Sequence, residues 1–203
     1  MGGIRAVLFD LDGTLTRPGA LDFPAIKRTL GCPQDSAILE FLAGVEARER
    51  SRLEKILESI ELEAAELAEP NEGAEACVRA LRSLSVPLGI ITRNCHRSVD
   101  VTISRLGNIS QDDFSVIVCR EDAPPKPDPA GVLLSARLMG IDASNLLLVG
   151  DFRFDVLAGR AAGALTALVT NGGECPWKND PPPDWLVNGL KDVVHLVKNN
   201  SKI

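Results

Sequence analysis

Five short segments of the chain are apolar almost without interruption: Ile4–Phe9, Val86–Ile91, Phe114–Cys119, Leu146–Val149 and Leu165–Val169. A strand with one wet face alternates polar and apolar residues. Near-continuous Val, Ile and Leu instead fits strands buried on both faces, as in a parallel sheet. Between these segments the spacing turns helical. Cys77, Ala80, Leu81 and Leu84 recur every three or four positions, as do Cys95, Val99, Ile103 and Leu106. Asp128-Pro129 reads as a helix start and Gly140 as its end, a further helix runs from about Phe154 to Gly163, and Leu190–Val197 reads as a terminal helix. Alternating strand and helix predicts right-handed crossovers and an α/β, Rossmann-like, doubly wound parallel sheet of five strands.

One interval breaks the alternation. Residues 18–70 carry no strand signal but offer helices over Ala25–Leu30, Ser36–Leu42 and roughly Val45–Ala68. Leu53, Ile56, Leu57, Ile60, Ala64 and Leu67 form an apolar stripe on the third, whose charged opposite face reads as solvated surface. Proline-containing links at Arg17-Pro18 and Glu69-Pro70 bracket the interval. The predicted division is a core of residues 1–17 and 71–203 with a small all-helical subdomain, 18–70, inserted after the first strand and lying over the sheet's edge.

Composition narrows the classes. The 203 residues hold 22 Lys and Arg against 28 Asp and Glu, a net charge of −6, with no basic run for a phosphate backbone, so nucleic acid is excluded as a partner. No apolar run is long enough for a bilayer, and the first strand begins too early to leave room for a signal peptide. The five cysteines (32, 77, 95, 119 and 175) contain no Cys-x-x-Cys pair and suit a reducing, cytoplasmic setting without zinc or a disulfide framework.

The chemistry gathers where strands end, the place where open parallel sheets bind ligands. After the first strand come Asp10 and Asp12, two residues apart and so pointing the same way from an extended chain, then Gly13, Thr14 and Thr16. Carboxylates that close raise each other's pKa unless a cation joins them. Thr92-Arg93-Asn94 follows the second strand, Lys126-Pro127-Asp128 the third, and Gly150-Asp151 with Asp155 the fourth. In this order they supply a carboxylate nucleophile, metal-binding oxygens, a hydroxyl and a cation, the requirements of phosphoryl transfer.

The motif Asp10-x-Asp12-Gly13-Thr14-x-Thr16, with Thr92, Lys126 and Asp151 in order behind it, resembles the haloacid dehalogenase superfamily, specifically its phosphoglycolate phosphatase-like branch with a small helical cap. The resemblance runs from about Ile4 to Val197. It implies that Asp10 attacks phosphorus, that Asp12 is the general acid and base, and that Thr92 and Lys126 hold the transferring group. It implies Mg2+ held by Asp10, Asp12 through its backbone carbonyl, and Asp151, with Asp155 and Thr16 in support. The expected activity is hydrolysis of a small phosphorylated metabolite, phosphoglycolate or a sugar phosphate, by a monomer or weak homodimer. Two alternatives share the residues: a phosphotransferase of the β-phosphoglucomutase type, and a regulatory protein that has abandoned turnover. Phe152 stands where the family more often has Ser or Thr, which puts metal affinity in question.

Other residues have two readings each. Arg93 and Asn94 suit either substrate contact or a loop arginine with Asn94 capping a helix. Cys95 in a first helical turn suits a lowered thiol pKa, but a redox role is the weaker reading. Lys27, Arg28, Arg48 and Arg50 suit solvated surface better than anion selection. His96 and His195 fit the surface, and Trp177 and Trp185 fit packing around the Pro181–Pro183 loop.

Overall fold

The computed structural model describes residues 3–174, 177 and 181–200. Six strands, β1 (Ala6–Phe9), β2 (Leu88–Ile91), β3 (Val116–Val118), β4 (Leu146–Gly150), β5 (Leu165–Val169) and β6 (Trp185–Val187), form one sheet in the order β3-β2-β1-β4-β5-β6. Every pairing is parallel. The doubly wound sheet is as expected, but it has six strands and not five. The sixth is a three-residue edge strand whose Leu186 is exposed, too short for an apolar run to announce it. Asp184 sets it in place, accepting from the Thr166 backbone N–H and hydroxyl at 2.8 and 2.9 Å.

The continuous apolar runs have their cause in the two layers of helices. Val7 and Phe9 face one cluster with α4 (Ala74–Ser83), α5 (His96–Ser104) and α8 (Leu190–Asn200). Ala6 and Leu8 face another with α6 (Ala130–Leu138) and α7 (Arg153–Ala161). Every residue of β1 is thus sealed, and polar chemistry has to wait until the strand ends.

Between β1 and α4 lie α1 (Phe23–Leu30), α2 (Ile38–Ala43) and α3 (Ala47–Glu66), packed around their own cluster of Ile26, Leu30, Ile38, Leu42, Leu53 and Leu57. Asp22 caps α1 through the Ala25 N–H at 3.0 Å, and Glu46 caps α3 through the Arg48 N–H at 3.1 Å. The chain leaves and returns side by side: Thr16 bridges Pro70, Arg17 N–H donates to Glu69 O (2.9 Å), and Asn71 N–H to Leu15 O (2.8 Å). The buried stripe of α3 is Leu53, Leu57, Glu61 and Ala65, rotated from the expected one, and Leu67 is exposed. The rotation turns one carboxylate inward because α3 packs on α5 of the core as well as on its own neighbours.

Leu8 is fully buried between β1 and the α6/α7 layer. Leu8→Ala is expected to lower unfolding free energy by about 2–5 kcal/mol in urea titration. A loss under about 1 kcal/mol would contradict this packing.

Candidate active site

Register puts the functional residues at one height. Phe9 pairs with Ile90 on one side and Val149 on the other, so Asp10, Thr92 and Asp151 leave their strands together. The Asp10 N–H still donates to Val149 O at 2.8 Å, after which the chain makes a wide turn over Leu11–Leu15, closed by Thr16 N–H to Leu11 O at 2.9 Å. Gly13 has φ +80°, and a Cβ there would stand 2.1 Å from Asp151 Oδ2, so the turn accepts only glycine. Thr16 Oγ accepts from Gly13 N–H (3.1 Å) and lies 3.3 Å from Leu11 O, which makes it a brace of the turn.

Two asparagines that the sequence pattern did not mark hold the turn from outside. Asn71 Nδ2 donates to Thr14 O at 2.8 Å and to Asn171 Oδ1 at 2.9 Å, and Asn171 Nδ2 donates to Gly13 O at 3.0 Å. Asn71 lies in the link that returns from the insertion, and Asn171 lies just beyond β5. Their one available signal was position, at the return of the insertion and at the end of β5.

Lys126 is the centre of the cluster. Its Nζ lies 2.5 Å from Asp10 Oδ1 and 2.5 Å from Asp155 Oδ1, and donates to Ile91 O at 3.1 Å. Burial alone would lower its pKa, but the two carboxylates outweigh burial and raise it, so the ammonium is fixed in charge. Asp155 Oδ2 accepts from the Phe152 N–H at 3.1 Å, so this carboxylate serves the start of α7 and Lys126 together.

Four carboxylates, Asp10, Asp12, Asp151 and Asp155, thus surround one ammonium. Burial raises Asp10; Lys126 opposes that, and Asp155, Asp151 and Asp12 add to it. Asp151 is pushed up to about 7 by burial first and by Asp155 next. Asp12 is raised by burial, against an Asn94 hydrogen bond of 2.6 Å and Lys126. Crowding by carboxylates, the cause expected from the sequence, is therefore the wrong reason at Asp12. Carboxylate oxygens of Asp10, Asp151 and Asp155 lie within 4.8 Å of one another, an oxygen-only donor set of the kind a hard divalent cation takes.

Thr92 is buried, and its Oγ accepts from the Asn94 N–H at 3.2 Å. Asn94 does not cap α5. Cys95 occupies that position, buried, with its thiol 3.5 Å from Ser98 Oγ. Arg93 is held by Glu40 of α2 at 2.7 and 2.9 Å and by Lys126 O, and stacks on Phe154 with its guanidinium carbon 4.9 Å from the ring centre. It is a tie between core and insertion. Two further arginines of the core reach the insertion: Arg97 to Glu58 (3.5 Å) and Arg120 to Glu61 (2.5 Å). Part of the charged face of α3 is accordingly not solvated surface, because the core supplies partners that were invisible along the chain.

A cavity of about 460 Å³ opens over Asp10 and Asp12, with Thr92, Lys126 and Asp151 at its floor and Ile38, Leu39, Leu57 and Glu61 on its insertion side. Phe152 stands in its wall, packed edge-on against Phe154 and Trp177 with ring centres 5.0 Å apart. Lys27 lines it also, with Nζ donating to Gln34 O at 2.8 Å, while Arg28 and Arg48 are exposed. His96 is exposed and sits 3.0 Å from Asp122, and His195 is exposed on α8. Cys175 lies outside the described residues.

The profile of the haloacid dehalogenase-like hydrolases matches residues 4–163. The chain belongs to this family. It is 30% identical to the uncharacterized hydrolase YOR131C of Saccharomyces cerevisiae, covering 98% of this chain and 93% of that one. It is also 30% identical to an N-acetylmuramic acid 6-phosphate phosphatase of Pseudomonas aeruginosa, over 93% and 91%. A hydrolase from Pseudomonas syringae superposes with a TM-score of 0.79 at 19% identity, over 97% and 98% of the two chains, a likeness of fold alone. The relatives put the protein among the phosphoric monoester hydrolases of the family.

A carboxyl group raised from 3.8 to about 7 binds its proton more tightly in the folded chain than in the unfolded one throughout that window. Stability then declines as pH rises through it and levels off above. In EDTA, the unfolding temperature is expected to fall between about pH 5 and about pH 8 more in the wild type than in Asp151→Asn. An equal fall in both would contradict the assignment.

Proposed function

We propose that the protein hydrolyses the phosphate monoester of a small alcohol through an aspartyl phosphate on Asp10. The observation that carries this reading is the buried carboxylate of Asp10, held 2.5 Å from Lys126 Nζ at the floor of the cavity. A carboxylate paired with a cation that opposes its protonation and can offset charge on phosphorus suits attack on an anionic ester.

The steps balance on this chain's own groups. An Asp10 oxygen bonds to phosphorus as the ester P–O bond breaks, and Asp12 gives its proton to the departing oxygen. Asp12, now a carboxylate, takes a proton from water. The water oxygen attacks the phosphorus of the aspartyl phosphate, restoring Asp10 and releasing inorganic phosphate. The raised pKa of Asp12 suits it to begin protonated, and Asn94 aims it. Thr92 would donate to a phosphoryl oxygen and Lys126, its N–H groups engaged by Asp10, Asp155 and Ile91 O, would offset the charge, while Arg93 and Asn94 act by positioning. Asp10, Asp151 and the Asp12 carbonyl would hold Mg2+, with Asp155 behind them, and the ion would neutralise charge that the carboxylates alone leave in excess. The insertion acts as a cap that excludes water and shapes the substrate's organic portion.

Hydrolysis of p-nitrophenyl phosphate, measured with Mg2+ and with EDTA, checks the reading. EDTA and Asp10→Asn are each expected to abolish turnover, and Asp12→Asn to lower kcat by roughly 10²–10⁴. Undiminished hydrolysis by Asp10→Asn would remove the mechanism.

A further inference from the structure

Glu61 breaks the apolar stripe of α3. The helix buries Leu53, Leu57, Glu61 and Ala65, four positions apart, so a carboxylate stands where an aliphatic side chain would seal the contact. Glu61 is 6% exposed and lines the cavity beside Leu57. Its Oε1 takes the Arg120 guanidinium at 2.5 Å. Its Oε2 is buried and, apart from the weak Cys95 thiol donor, has no hydrogen-bond partner among the described residues. Burial raises its pKa and Arg120 opposes that; the Cys95 thiol, a weak donor, adds a smaller contribution in the same direction as Arg120. A buried acceptor with one oxygen satisfied and the other open destabilises the apo protein until something donates to it.

The remaining neighbours narrow what that donor is. Arg120 already balances the charge of Glu61, so no second cation is called for. The cavity wall beside it is aliphatic, from Ile38, Leu39 and Leu57, and Lys27 and Arg93 are engaged by the Gln34 carbonyl and by Glu40. We propose that Glu61 is a specificity-determining residue whose free carboxylate oxygen accepts a hydrogen bond from a hydroxyl on the alcohol portion of the substrate. The substrate class is then a hydroxylated phosphate monoester. A carboxylated one of the phosphoglycolate kind would bring a second negative charge toward Glu61 and be disfavoured. This inference rests on the phosphatase reading and deepens it.

The test is a series of phosphate monoesters of two- to five-carbon alcohols ending in methyl, hydroxyl or carboxylate, assayed with Mg2+. At one or two chain lengths the hydroxyl ending is expected to raise kcat/KM by roughly tenfold or more over methyl, the range of a hydrogen bond to a charged group, with carboxylate below methyl. In Glu61→Leu, which leaves no acceptor or donor at this position, the hydroxyl-to-methyl ratio is expected to collapse toward one. Calorimetric binding of the same esters to the Asp10→Asn protein reads recognition without turnover. Hydroxyl preference in binding without hydrolysis would count against the phosphatase reading alone. Hydrolysis with methyl or carboxylate endings preferred at every length, or with the hydroxyl ratio unchanged in Glu61→Leu, would overturn the role of Glu61. The wild-type comparison stands by itself if that variant does not fold.

Discussion

A single buried ammonium organises the catalytic end of the sheet. Lys126 comes from the loop after β3, bonds a carbonyl at the end of β2, and ion-pairs with carboxylates that follow β1 and begin α7. Removing an ammonium from water costs several kcal/mol, and breaking such a pair leaves an uncompensated buried charge. The four segments are therefore held in register by electrostatics as well as by the sheet ladder. The same arrangement sets the chemistry. One cation among four carboxylates leaves the group short of positive charge, which raises the carboxyl pKa values and which the proposed divalent ion would relieve.

The frame around Lys126 is built to keep that cluster rigid. The Gly13 turn lets Asp151 approach, Asn71 and Asn171 fix the turn's carbonyls, and Asp155 caps α7 with the oxygen not given to Lys126. Each of these groups has a local reason to stay where it is, which is what preorganisation means in physical terms. The insertion is joined differently. Arginine–glutamate pairs tie it to the core, among them Arg17–Glu69, Arg97–Glu58 and the two that flank the cavity, Arg93–Glu40 and Arg120–Glu61. Arg97–Glu58 is exposed and weak, whereas Arg120–Glu61 is buried and costly to break.

Much of this was legible along the chain because it obeys local rules. Sealed strands announce themselves as unbroken Val, Ile and Leu, and Asp10, Thr92 and Asp151 follow those strands directly. What was not legible depends on partners distant in sequence. The edge strand at Trp185 exists because Asp184 finds Thr166. Asn94 serves Asp12 and not its own helix, since the acid lies 82 positions away. The inward turn of Glu61 follows from Arg120, 59 positions on, and no periodicity of α3 could reveal it. Asp12 is raised by burial for a similar reason: the walls that exclude water are assembled from several elements.

The central claim is a covalent bond at Asp10, and rapid acid quench during turnover followed by borohydride reduction and peptide mass mapping tests it most directly. Reduction of an aspartyl phosphate yields homoserine, expected at position 10 and at no other carboxylate. Turnover that proceeds with position 10 recovered only as aspartate, or with homoserine at Asp12, Asp151 or Asp155 instead, would contradict the account.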